Sequence, residues 1–220
     1  MISVPITIDL VSDVTCPWCI VGFKKLEQAL GQTEFSQPVS IQWQPFELNP
    51  GLPPQGELLL DNLQRKYNMS KADSENFSAR LKSIGESLDF EFNIGEDFRM
   101  YDTKAAHRLL TWAQQFNLQT ELKLKLFQFN FSESLNISDT EILLSACEAV
   151  GLNVEEARAA LDDELIRKKT DAEQQFWLQS GIQSVPSIIL NRKYLINGAQ
   201  EPEQIAKVFE KINSEALTET

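Results

Sequence analysis

The chain has 220 residues, 42% hydrophobic and 24% charged, which supplies a sizeable core and exceeds one minimal domain. A formal net charge of −12 with no basic patch argues against a nucleic-acid partner. No run approaches the roughly 18 apolar residues of a membrane span, and Met1 to Pro5 lacks the basic region of a secretory signal, so a cytoplasmic protein with no membrane partner is expected.

Ile6 to Val11 reads as a buried strand interrupted by Asp9. Thr15 is the expected N-cap of a helix from Pro17 to Leu30, in which Ile20, Phe23, Leu26, Ala29 and Leu30 recur at helical spacing. Val39 to Phe46 alternates as a second strand. Asn49 to Pro54 is the densest Pro/Gly cluster and is read as a boundary. Helical periods then follow over 58–67, 71–88 (capped by Ser70), 103–116, 119–131, 140–150, 154–161 and 163–180. Phe90, Phe92 and Ile94 alternate as a short extended piece. Ser187 to Leu190 and Tyr194 to Ile196 form a hairpin, and a last helix runs from Pro202 to Ile212, with 213–220 expected to fray.

Between the first strand and its helix stands Cys16-Pro17-Trp18-Cys19. Two intervening residues in a first helical turn bring the sulfurs within disulfide reach. The first cysteine then sits among unpaired N–H groups at the positive end of the macrodipole, which favours its thiolate. Pro17 suits the first helical position. Cys16 is expected to be the nucleophile and Cys19 the resolving thiol, with Pro17 and Trp18 tuning the pair. Trp18 serves equally well as a packing aromatic.

A zinc site needs about four ligands, and the chain offers only Cys147 and His107 beyond this pair, so no metal is expected. Cys147 shares a helical face with Leu143, Ala146 and Val150 and reads as packing. His107 reads as an interhelical hydrogen-bonding residue, and the phenylalanines 127, 129 and 131 as core. Asp13 is either a turn carboxylate or a proton acceptor for Cys19. The role of Asp9 stays open.

Parallel strands joined through a helix, then a helical block, hairpin and helix, leave β-α-β…β-β-α once the middle is removed. That order resembles the thioredoxin fold, and the helical block between its halves resembles the DsbA family. Ser12 to Cys19, Ala106 to Leu110, Leu126 to Gln128, Ile137 to Asp139, Gly181 to Ser187 and Asn197 to Gln200 are similar to FrnE-like, leaderless DsbA-type proteins. The resemblance implies an α/β thioredoxin-like domain over 1–54 and 182–220. It implies a helical insertion over 55–181, whose last helix, about 163–180, leads back into that domain. It also implies a cis bond at Val185-Pro186 and backbone pairing of Val185 with a peptide substrate.

The function implied is thiol–disulfide exchange without a bound cofactor, on protein or small-molecule thiols and disulfides, glutathione among them. Two alternatives remain: a glutathione-dependent transferase or isomerase of the kappa and hydroxychromene carboxylate type, and a peptide-binding chaperone module. The first typically carries Ser in place of Cys16. The sequence gives no oligomeric state.

Overall fold

The computed structural model describes residues 1–218. β1 (Ile6–Ser12) is buried along its length except at Thr7, because it lies inside the sheet and both of its faces are covered. The sheet order is β2-β1-β5-β6, with β2 at Val39–Pro45, β5 at Ser187–Leu190 and β6 at Tyr194–Asn197. β1 runs parallel to β2, with Leu10 opposite Trp43, and antiparallel to β5, with Leu10 opposite Ile188. The expected β-α-β…β-β-α order is therefore present.

Alternation along the strands decides which helix covers which face. Ile8, Leu10, Ile188 and Leu190 join the cluster of α1 (Pro17–Gly31) and α9 (Pro202–Thr218). Val11 and Ile189 turn the other way, onto Trp177 of α8 (Glu164–Gln179), with Phe46 and Ile182. Between β2 and β5 come a two-residue ladder, β3 (Glu57–Leu58) with β4 (Arg99–Met100), and the helices α2 (Leu59–Tyr67) to α7 (Val154–Asp162). Leu59, Leu63, Leu81, Phe98 and Phe131 of this block share one core cluster with the sheet.

β2 is an edge strand, and its open side meets α5 (Gln119–Phe127). Trp43 N–H donates to Gln119 Oε1 at 2.9 Å, and Gln119 Nε2 donates back to Trp43 O at 2.9 Å. One side-chain amide thus satisfies the backbone groups that a neighbouring strand would otherwise pair.

Several elements depart from the sequence reading. Thr15 does not cap α1: Cys16 is the N-cap residue, no side chain caps the helix, and Thr15 Oγ1 is buried without a partner. Phe90, Phe92 and Ile94 form no strand; their rings pack inward, Phe90 on Phe92 and Phe92 on Phe131. The short strands lie instead at 57–58 and 99–100, too brief to show alternation. The helix from Gln119 ends at Phe127 and loosens into a π-turn, Gln128–Ser132, which turns Asn130 and Phe131 inward. α9 continues past Asn213, whose Oδ1 accepts from Ser3 N–H at 2.7 Å; Glu219 and Thr220 lie outside the described residues. Ser70 does cap α3 (Lys71–Ser87), in a reciprocal box with Asp73.

Gly85 of α3 allows the chain to fold back on itself. A methyl group there would lie 2.3 Å from the Phe90 carbonyl oxygen and 2.6 Å from the Phe92 ring. Gly85→Ala is expected to cost about 1–3 kcal/mol, read as a lowered urea midpoint with an unchanged slope.

Candidate active site

β1 ends in a turn, Asp13 to Thr15, that delivers Cys16 to the start of α1 with extended backbone, φ −93° and ψ 109°. Pro17 occupies the first turn, where its missing N–H removes no helical bond. Cys16 is 3% exposed, Cys19 lies a turn deeper at 0%, and both are free thiols. Across from them the Val185-Pro186 bond is cis, and the Cys16 thiol donates to the Val185 carbonyl over 3.6 Å. Gly198 N–H donates to Pro186 O at 2.8 Å. Pro186 also presses on α1 where Gly22 lacks a side chain; a Cβ there would sit 3.0 Å from Pro186 Cγ. Gly22 therefore belongs to the geometry of the pair.

Beside Cys16 opens a cavity of about 280 Å³, whose walls include Trp18, Leu63, Met69, Phe77, Phe131 and Val185. Asn62, Lys66, Gln183 and Ser184 are among its polar members. Trp18 is half-buried, edge-on to Phe77 at 6.4 Å, with the Arg80 guanidinium 5.7 Å from its ring. It both packs α1 against α3 and lines the cavity. A larger cleft of about 820 Å³, lined by Lys24, Lys82, Glu86, Glu121 and Lys125 among others, contains no cysteine and is mixed in charge.

Beneath the sulfurs lie charges. Asp13 is fully buried; its Oδ2 accepts from Leu48 N–H, and its Oδ1 lies 3.4 Å from both Thr15 N and His107 Nε2. His107, of α4 (Lys104–Ala113), also places Nε2 3.0 Å from the Phe46 carbonyl oxygen. Both neighbours of Nε2 accept, so Nε2 carries the proton. Burial works against the Asp13 carboxylate, but His107 and the Leu48 N–H outweigh it, and its pKa is lowered.

Lys123 of α5 is 1% exposed. Its Nζ donates to the Ser12 carbonyl at 3.4 Å and stands 5.4 Å and 5.1 Å from the rings of Trp43 and Phe127. Burial pushes its pKa down to about 8, against the pull of Cys19, Asp13 and Cys16.

The cysteines titrate as a pair. Cys16 is raised well above the usual thiol value, first by the adjacent Cys19 sulfur, then by burial and by the charge of Asp13. Burial opposes the Cys19 thiolate too, yet the adjacent Cys16 sulfur and the charge of Lys123 lower its pKa. Cys16 borders the cavity, and Cys19 lies a turn deeper, within the field of Lys123. Cys147 is buried apart from this site, and burial pushes it up to about 12. Among the described residues, no three His, Cys, Asp or Glu side chains gather as metal ligands.

The sequence reading marked Cys16, Pro17, Trp18, Cys19, Val185, Pro186 and Asp13, and the fold brings all seven together. It did not mark Lys123, nor join His107 to Asp13. Lys123 sits among alternating Leu and Lys residues that read locally as a solvated face.

The model of the DSBA-like thioredoxin domain matches residues 7–210. The chain is 28% identical over 209 residues to YwbO of Bacillus subtilis (strain 168), an uncharacterized protein, covering 94% of this chain and 96% of that one. A probable DsbA oxidoreductase of Streptomyces coelicolor, SCO1869, superposes with TM-score 0.86 at 27% identity over 94% of this chain and 89% of its own. The cytosolic disulfide reductase DsbM of Pseudomonas aeruginosa, solved with GSH, superposes with TM-score 0.61 at 15% identity over 96% of this chain and 99% of its own.

Asp13→Ala leaves the Leu48 N–H unpaired and removes the carboxylate beside His107, and is expected to cost about 3 kcal/mol near neutral pH. Because the folded pKa lies below the unfolded one, Asp13 contributes in full above about pH 4 and loses its contribution as the pH falls through the folded value. Urea midpoints of the two proteins should therefore draw together as the pH falls below about 4; an equal gap at both ends of the range would contradict a stabilising carboxylate.

Proposed function

Because the chain belongs to the DSBA-like thioredoxin domain family, we propose that it is a thiol–disulfide oxidoreductase working through Cys16 and Cys19. The observation that carries the reading is the stacking of the two sulfurs. Cys16 borders an apolar cavity with the Val185 carbonyl 3.6 Å away, and Cys19 waits one turn below over a buried charge. In one direction a substrate thiolate attacks Cys16 Sγ, the Cys16–Cys19 bond breaks, and Cys19 leaves as thiolate. A second substrate thiolate then attacks the substrate sulfur of the mixed disulfide and releases Cys16. In the other direction Cys16 thiolate attacks a substrate disulfide, and Cys19 resolves the mixed disulfide.

No bound cofactor enters either route, since the electrons reside in the sulfur pair. Val185 and Pro186 border the place where a peptide disulfide would lie, and Asn62, Lys66 and Gln183 supply its polar contacts. Protein and small-molecule thiols are both candidate partners, and glutathione is the first to test because DsbM shares the fold and was solved with it. The same reading treats 1–54 and 182–220 as the thioredoxin-like domain, 55–181 as a helical insertion that shapes access to Cys16, and the cytoplasm as the working compartment. Among the described residues, no helix is long and apolar enough to cross a membrane.

Exchange with a fluorogenic glutathione disulfide tests the assignment. Cys16→Ser should lower the rate by about a thousandfold or more. Cys19→Ser should perform the first step and then accumulate a one-to-one mixed disulfide on Cys16, visible by intact mass. Undiminished exchange in Cys16→Ser would sink the reading. Cys147 should be alkylated only after unfolding, since burial holds it protonated.

A further inference from the structure

The cavity beside Cys16 differs in character from the rest of the chain. The protein carries 32 acidic against 20 basic residues, yet among the described residues no Asp or Glu borders this cavity. Its body is apolar, built from Leu59, Leu63, Met69, Phe98, Met100 and Phe131. Lys66 stands in its wall with an exposed side chain, its Nζ donating to the Leu48 carbonyl oxygen at 2.7 Å. An ammonium has three donors, and that carbonyl takes one. The carboxylates whose charge reaches Lys66 are engaged elsewhere. Glu57 accepts from Arg65 at 3.0 and 2.7 Å and from Asn62 at 2.7 Å, and Asp13 accepts from Leu48 N–H and lies beside His107. A second cation, the Arg80 guanidinium, stands over Trp18, another residue of the same wall.

Access to the sulfur is narrow. Cys16 is 3% exposed, and the space beside it, about 280 Å³, is at the small end for a ligand pocket. A folded protein cannot follow its own disulfide into such a space. Resting on the exchange chemistry above, we propose that the substrate is a small disulfide, or its thiol, whose sulfur-bearing body is a hydrocarbon ended by a carboxylate. The hydrocarbon fills the apolar cavity next to Cys16, and the carboxylate meets Lys66. Lys66 is then a binding residue that selects the substrate. Glutathione presents polar peptide groups to the same apolar wall and is the poorer fit.

The exchange balances within the two partners. Cys16 Sγ, deprotonated, attacks one sulfur of the substrate; the substrate S–S bond breaks and the distal half leaves as a thiolate. The proximal half stays on Cys16 as a mixed disulfide with its hydrocarbon in the cavity. Cys19 Sγ then attacks Cys16 Sγ and releases that half as a second thiolate. The dithiol has lost two electrons and two protons, and the substrate has become two thiols. A monothiol such as reduced glutathione returns the protein to the dithiol.

A series of symmetrical disulfides tests this on the full chain: dithiodiglycolate, dithiodipropionate, dithiodibutyrate and dithiodihexanoate, each with its neutral diamide. The second-order rate of oxidation of the reduced protein is followed by intact mass and divided by the rate of the same disulfide with free reduced glutathione, which removes intrinsic reactivity. In wild type the ratio should rise about fourfold per methylene until the cavity is filled, equivalent to about 0.8 kcal/mol per buried CH₂. Each acid should exceed its amide about fivefold, equivalent to about 1 kcal/mol for an exposed ion pair. Lys66→Gln should abolish the difference between acid and amide and keep the rise with chain length. A ratio flat along the series, acids no faster than amides in wild type, or faster oxidation by a folded protein's disulfide than by dithiodihexanoate would each overturn the proposal. The first two of these comparisons need no substitution, so they stand whether or not Lys66→Gln folds. Failure of the oxidoreductase reading itself looks different, since wild type would then form no Cys16–Cys19 disulfide with any of these compounds or with oxidised glutathione.

Discussion

An ammonium stripped of water must be answered by an anion, and much of the site follows from that constraint. Lys123 reaches the underside of the sulfur pair from a helix outside the sheet. Asp13, the carboxylate among the groups around it, ties the turn before Cys16 to Leu48 and His107. The helix N-terminus alone would favour a thiolate on Cys16. Burial, the adjacent Cys19 and the charge of Asp13 work against it.

The helical block does more than shield the pair. It supplies His107, Lys123 and Phe131, so the buried charges and the apolar floor come from the same block. It also accounts for the low exposure of Cys16: α2 and α3 stand over the cavity, with Trp18 of α1 wedged against Phe77. Access to the sulfur is thus a property of the block, and the chemistry beneath it is a property of both parts.

The strand–helix–strand start, the closing hairpin and the sulfur pair were legible in the sequence, because each rests on local pattern: apolar runs, helical spacing and a two-residue gap between cysteines. The alternating Phe90, Phe92 and Ile94 imitated a strand because aromatic packing repeated at every second position, while the real two-residue ladder was too short to leave a pattern. Thr15 has the chemistry of a cap, but the turn holds Cys16 at that position. Lys123 was not legible at all. Between Leu122 and Leu124 a lysine reads as surface, and only the docking of α5 on β2 takes it inside. The Asp13–His107 contact joins residues far apart in sequence, and no spacing rule announces it.

Gln119 stands one helical turn before Lys123, so the amide that closes the edge of β2 also sets where the ammonium lies. This has a consequence for synthesis. The ribosome releases the cysteine pair long before α5 exists, and until Gln119 docks on Trp43 the two thiols have only the local field of their own helix. The nascent pair therefore lacks the buried charge that later lies beneath it. The buried ammonium beneath it arrives late, when the chain's midsection closes on the strand made before it.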